Sequence, residues 1–133
     1  MNTTSLERLK GVNPILIDIL IEAAKDSPHR FEIPRDGGLR TTERQKELYS
    51  YGRTDKTKKI ITQVDGVIKK SEHQKGTAFD IFILLPNGKA SWDKVMLTET
   101  ARHIQKVAKE KFSINLTWGG DWAKFKDMPH FQL

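Results

Sequence analysis

Ser71-Glu72-His73-Gln74-Lys75-Gly76-Thr77-Ala78-Phe79-Asp80 is the stretch from which the rest of the chain can be read. It leads into the apolar run Phe79 to Leu84, which predicts a buried strand ending at the turn Pro86-Asn87-Gly88. Asp80 then falls near the start of that strand. An isolated carboxylate there is costly to desolvate, so Asp80 needs a cation, a metal or several donors beside it. A second short piece, Asp127-Met128-Pro129-His130, holds another carboxylate and imidazole, and Pro129 keeps Met128 extended.

The composition narrows what these groups can do. With 133 residues, and no repeat, linker or low-complexity stretch, residues 1–133 read as one domain able to bury a modest core. There are no cysteines, which excludes a disulfide framework, a thiol nucleophile and a cysteine-ligated zinc, so a metal would rest on His, Asp and Glu. The apolar residues from Pro14 to Ile21 are interrupted by Asp18 and followed by Glu22, so they are expected to form a helix of the fold and not a signal peptide. No apolar run reaches transmembrane length, and no membrane insertion is expected. The net charge of +6 favours polyanionic partners in general. No nucleic-acid motif accompanies it, so no specific nucleic-acid partner is expected.

Local signals give an α+β pattern. Asn13-Pro14 reads as a helix cap and first turn, followed by Ile15, Leu16, Ile19, Leu20, Ala23 and Ala24 at helical spacing. Phe31-Glu32-Ile33 reads as a brief strand before the turn Asp36-Gly37-Gly38. Thr42 with Gln45 predicts a capping box for a helix running to about Tyr51 and stopped at Gly52. Asp65-Gly66, between Ile60-Ile61-Thr62-Gln63-Val64 and Val67-Ile68, predicts a hairpin in a lysine-rich flap that reads most simply as a solvated rim. A helix from Thr98 carries Ala101, Ile104, Val107, Ala108 and Phe112 on one face, and Leu116-Thr117-Trp118 predicts a strand closed by Gly119-Gly120.

Among the four histidines, His29 sits in a loop and His103 among polar helix neighbours, so both read as surface residues. His73, Asp80 and His130 are the candidate metal ligands, since two imidazoles and one carboxylate leave an open coordination position of the catalytic type. The spacing alone fits two ordinary buried histidines equally well. No His-Glu-x-x-His helix is present to supply a base between ligands. Asp127 is the candidate base, able to take a proton from an attacking water and pass it to a leaving amine, and its simpler reading is a turn carboxylate. Arg40, beside the Gly-Gly turn, can hold a carboxylate or a developing oxyanion, or act as a surface ion-pair partner.

Ser71-x-His73-x-x-Gly76-x-Ala78-x-Asp80, followed by Asp127-x-x-His130, resembles the zinc D-alanyl-D-alanine carboxypeptidase and L-alanyl-D-glutamate peptidase family, which cuts peptidoglycan stem peptides. Leu39-Arg40-Thr41 with Gln45, Leu48-Tyr49 and Gly52-Arg53-Thr54 resembles that family's upstream block, and Trp118-Gly119-Gly120-Asp121-Trp122 leading into Pro129-His130-Phe131 its last one. The resemblance implies Zn2+ bound by His73, Asp80 and His130, Asp127 as catalytic base, and Arg40 as the cation assisting the polarised carbonyl. It also implies supporting or substrate-binding places for Ser71 and Trp118. Gln132 stands where relatives often carry an acid. The implied fold is a small α+β domain with an antiparallel sheet flanked by helices, of the Hedgehog/D,D-peptidase kind.

These implications lead to the expectation of a monomeric zinc peptidase without a separate wall-binding domain, most like the L-alanyl-D-glutamate endopeptidases that phages use as endolysins. Such an enzyme would be made in the host cytoplasm and reach the wall after release through a holin lesion. The nearest rival is a D-alanyl-D-alanine carboxypeptidase or dipeptidase using the same zinc chemistry. A rival of another class is a non-catalytic zinc module that binds wall peptides or nucleic acid.

Overall fold

The computed structural model describes all residues, 1–133. Two helices lead the chain. α1 (Thr3–Arg8) starts at Asn2, whose side chain accepts from the Ser5 amide, and α2 (Pro14–Ala24) is capped by Asn13 with proline in its first turn. The capped proline entry and the apolar spacing of α2 are as the sequence predicts, whereas α1 has too little apolar content to announce itself. α2 packs its buried face of Leu16, Ile19, Leu20 and Ala23 against α5 (Lys94–Phe112). α5 begins one turn earlier than Thr98, because Asp93 caps it through the Met96 amide. It stops where Ser113 turns into the left-handed region at φ 55°.

Six short strands form two separate antiparallel sheets. One sheet has the order β1 (Phe31–Glu32), β3 (Phe82–Leu84), β4 (Ala90–Ser91), and the other β2 (Ala78–Asp80), β6 (His130–Gln132), β5 (Thr117–Trp118). The run from Phe79 to Leu84 is therefore two strands and not one. At Ile81 the chain leaves one sheet for the other, its amide donating to the Pro129 carbonyl (3.0 Å). Asp80 accordingly ends β2 and does not start a longer strand. Apolar side chains from both sheets and from α2 and α5 meet in one core, in which Phe79 and Phe131 stack with ring centroids 5.0 Å apart. Each buried Leu, Ile or Phe in it contributes on the order of 1.5–3 kcal/mol relative to exposure.

Two further expectations are corrected. The helix α3 (Thr42–Ser50) is capped by Thr41, whose oxygen accepts from the Arg44 amide, so Thr42 is not the cap and Gln45 does not fold back. Instead Gln45 is buried and faces the flap, because the helix places it on the inner side with Leu48. The Asp65-Gly66 turn joins no strands. The Asp65 carboxylate accepts from the amides of Val67, Ile68 and Lys69 (2.9–3.1 Å), and this local capping takes up the backbone donors that a hairpin ladder would need.

Candidate metal and catalytic site

His73 is held by the four-residue helix α4 (Glu72–Lys75). The capping box forms here: Ser71 Oγ accepts from the His73 amide (3.2 Å), and Gln74 Oε1 accepts from the Ser71 amide (2.9 Å). Gly76 ends the helix at φ 73°, where a side chain would be strained and would also crowd the Gly11 carbonyl (2.9 Å). Ser71 thus supports the site by fixing the helix that carries His73. Asp80 and His130 are directly opposite one another on β2 and β6.

These elements bring three ligand atoms together. His73 Nε2 lies 3.1 Å from Asp80 Oδ1 and 3.2 Å from His130 Nδ1, and His130 Nδ1 lies 3.2 Å from Asp80 Oδ1. The outer ring nitrogens decide which protons are where. His73 Nδ1 meets the Gly38 carbonyl (3.0 Å) and His130 Nε2 meets Gln132 Oε1 (2.8 Å), both acceptors, so each imidazole carries its proton outward. Neutral rings then turn two lone pairs and a carboxylate oxygen toward one point, which calls for positive charge there. Burial would raise the Asp80 pKa, yet its contacts with His130 and His73 hold it well below the usual carboxylate range. Burial would likewise lower that of His130, but the hydrogen bond and charge of Asp80 outweigh it and raise the value.

A proton on His130 is one way to supply that charge, and a metal cation is the other. The triangle fits a metal: ligands about 2.0–2.1 Å from a tetrahedral centre lie ~3.3–3.4 Å from each other, close to the edges observed. Gln132 provides the outward acceptor that orients His130.

Asp127 and Arg40 flank this cluster. Asp127 is exposed at the surface, in the loop leading to β6. Its amide donates to the Gly119 carbonyl and its carbonyl accepts from the His130 amide (both 3.1 Å). Despite that exposure, desolvation of its carboxyl and the Asp80 charge raise its pKa, against the opposing pull of His130, His73 and Arg40, so these four groups lie within electrostatic reach of it. Arg40 is half-buried, and desolvation lowers its pKa against the attraction of Asp80, Asp36 and Asp127. Its Nη1 donates to Gln45 Oε1 (2.8 Å) and its Nη2 to the Asp36 carbonyl (3.0 Å), while the buried Nε has no partner. Trp118 is buried, with its indole donating to the Met128 carbonyl (2.6 Å). It therefore braces the Asp127 loop from below and offers little surface to a substrate.

Two residues to which the sequence assigns no site role of their own, Trp122 and Gln45, belong to this neighbourhood. Trp122 leans on the His130 ring with centroids 5.3 Å apart, and Gln45 Nε2 donates to the Val64 carbonyl (2.7 Å) and to Thr62 Oγ1 (3.2 Å) while its oxygen holds Arg40. A glutamine directed inward on a helix otherwise full of charges was the available signal for Gln45. His29 and His103 stay outside the cluster, His29 with Glu99 and His103 with the Ala23 carbonyl and Asp26.

Fold and site together define a small α+β domain with a largely buried His-Asp-His cluster that a carboxylate and an arginine sense electrostatically. The chain belongs to the peptidase family described as D-alanyl-D-alanine carboxypeptidase, whose profile matches residues 66–133. It is similar to the peptidoglycan L-alanyl-D-glutamate endopeptidase CwlK of Bacillus subtilis, with 33% identity over 101 residues, covering 72% of this chain and 57% of that protein. The chain thus spans little more than half the length of that relative. Among solved structures it is similar to the Serratia marcescens L-Ala D-Glu endopeptidase ChiX, with a TM-score of 0.80, 31% identity, and coverage of 100% of this chain and 88% of that one.

Proposed function

We propose that the chain is a zinc-dependent peptidase of peptidoglycan stem peptides that cuts the bond between L-alanine and D-glutamate. The observation that carries this reading is the convergence of His73 Nε2, His130 Nδ1 and Asp80 Oδ1, with the outer nitrogen of each imidazole facing an oxygen acceptor. When bound by these three atoms, zinc supplies a Lewis acid that polarises a carbonyl and acidifies water. Asp127 takes the proton of the attacking water and returns it to the leaving amine. Arg40 places its charge beside the developing oxyanion. Gln132 and the Gly38 carbonyl keep the two imidazoles in the required tautomers. The names of the two relatives support the endopeptidase bond, and the family's description keeps the carboxypeptidase as the second reading.

Digestion of purified peptidoglycan with zinc-loaded protein, followed by mass analysis of the new ends, separates the two. A new amino terminus on D-glutamate supports the endopeptidase, and released D-alanine supports the carboxypeptidase. Wall digestion by Asp127→Ala and His73→Ala proteins at the parent's rate would exclude both. A phage lysis role, with a monomer reaching the wall after membrane release, is the biological setting we attach to this reading. It requires that cells expressing the protein clear when their membrane is permeabilised and stay turbid when it is intact.

A further inference from the structure

The segment from Arg53 to Lys70 contains six basic residues and two acids, and so carries four of the chain's six net positive charges. Both acids are engaged internally. Asp55 accepts from the Thr57 amide and hydroxyl, and Asp65 caps three successive amides. Lys56, Lys58, Lys59, Lys69 and Lys70 are all exposed, and none forms a salt bridge. Lys58 lies over the Tyr51 ring, 4.8 Å from its centroid. Between these lysines, Ile60 (51%), Ile61 (60%), Val67 (58%) and Ile68 (94%) are exposed to solvent.

A loose loop could turn such aliphatics inward. This one is pinned the other way round. Gln45 Nε2 holds Val64 and Thr62, Gln74 Nε2 holds the Gly66 carbonyl (3.1 Å), and Arg53 Nη2 holds the Thr62 carbonyl (3.0 Å). The polar positions are thus spent on anchoring the flap to the domain, and the aliphatic positions are left outside. Exposed aliphatic side chains in an anchored segment whose lysines have no acidic partners mark a contact surface.

We infer that this flap docks on an anionic lipid surface, the lysines meeting headgroup phosphates and Ile68, with Ile60, Ile61 and Val67, entering the boundary of the acyl region. An anionic polymer could pair with the lysines, but only an apolar phase rewards removal of four aliphatic side chains from water. The expectation of no membrane insertion is thereby narrowed. No helix is long and apolar enough to cross a membrane, and shallow docking through a loop needs none. Gln45 joins the flap to Arg40, so docking would hold the site at the membrane face. The inference stands on charge and exposure and does not depend on the peptidase reading.

Co-sedimentation of the full chain with vesicles tests it, using phosphatidylglycerol mixed with phosphatidylcholine against phosphatidylcholine alone. Binding is expected to the anionic vesicles only and to weaken as salt rises. Lys69→Gln/Lys70→Gln should lower partitioning by about 25-fold, at ~fivefold per lysine, and Ile68→Ser by about tenfold. Trp92→Ser, an exposed aromatic elsewhere, should leave it unchanged. Equal binding to neutral vesicles, or no binding to anionic ones, overturns the inference. So does an Ile68→Ser protein that partitions like the parent while the double lysine variant does not, since that pattern assigns the surface to a soluble polyanion. Circular dichroism of each variant separates lost docking from lost folding.

Discussion

Gln45→Leu removes a buried amide that touches both the candidate catalytic arginine and the flap, and the structure allows its cost to be worked out. Leucine fills a similar volume, so the change acts mainly through hydrogen bonds. Arg40 Nη1 loses its acceptor at 2.8 Å, the Val64 carbonyl its donor at 2.7 Å, and Thr62 Oγ1 a longer contact at 3.2 Å. A bond to a charged group is worth about 1.5–3 kcal/mol and a neutral one about 1 kcal/mol. The Thr62 contact can be replaced by water, so the total comes to about 3 kcal/mol. For a domain of this size each kcal/mol shifts the melting temperature by about 3–4 °C, so Gln45→Leu should melt roughly 10 °C below the parent. Gln45→Glu keeps an acceptor for Arg40 and loses the donor to Val64, which separates the two contacts. Thermal melts, paired with timed trypsin cleavage between Arg53 and Lys70, read both effects. Both variants should be cut faster than the parent, and only Gln45→Leu should show the full thermal loss. A Gln45→Leu protein that melts within about 2 °C of the parent and resists trypsin equally would refute the reasoning.

The metal cluster, the base and the buried acid of β1 give further expectations. Adding zinc to chelated protein should raise its melting temperature, by the equivalent of about 2.7 kcal/mol at a hundredfold excess over Kd, and His130→Ala should abolish the rise in calorimetry. Asp127→Asn should lower turnover by about 10²–10⁴-fold while slightly stabilising the chelated protein at neutral pH. The sign follows from its raised folded pKa: the ionised form is the disfavoured one, so its contribution to stability falls as pH rises. Glu32 behaves oppositely. Although burial would raise its pKa, the Asn2 amide, Ser5 hydroxyl and Arg30 lower it, so its stabilisation is present above the unfolded value of ~4.3 and is lost as pH falls through the lower folded value. Glu32→Ala should cost about 2–4 kcal/mol in urea unfolding at neutral pH, with a smaller difference in acid. Gly119→Ala would run into the Asp127 backbone, and its expected signature is lost turnover with zinc affinity kept.

The amphipathic helices were legible because their apolar spacing and capping residues act locally: Asn13-Pro14 fixes where α2 starts, and α5 shows one continuous apolar face. The cluster His73, Asp80 and His130 was legible as residue types, since a carboxylate in an apolar run demands a counter-charge. The division of Phe79–Leu84 between two sheets was not legible. Six consecutive apolar-rich residues carry no mark of which partner each half takes, and the switch at Ile81 depends on Pro129 far along the chain. The flap misled for the opposite reason, because Asp65 satisfies the nearby amides by itself. A cap at Thr42 would make Gln45 a surface capping residue, and the cap one position earlier, at Thr41, makes it a buried hub.

The direct pairing of Asp80 with His130 has a consequence for folding. These residues are separated by 50 positions in the chain, and the strands that align them are three residues long. Loop closure over such a span must precede any reward from the contact. Because side chains alternate along a strand, a slip of one residue would turn His130 away from Asp80 altogether. The site therefore exists only in the completed ladder. The helical pair α2 and α5 can remain packed when that ladder frays, so mild denaturant should silence the site before it erases the helical signal.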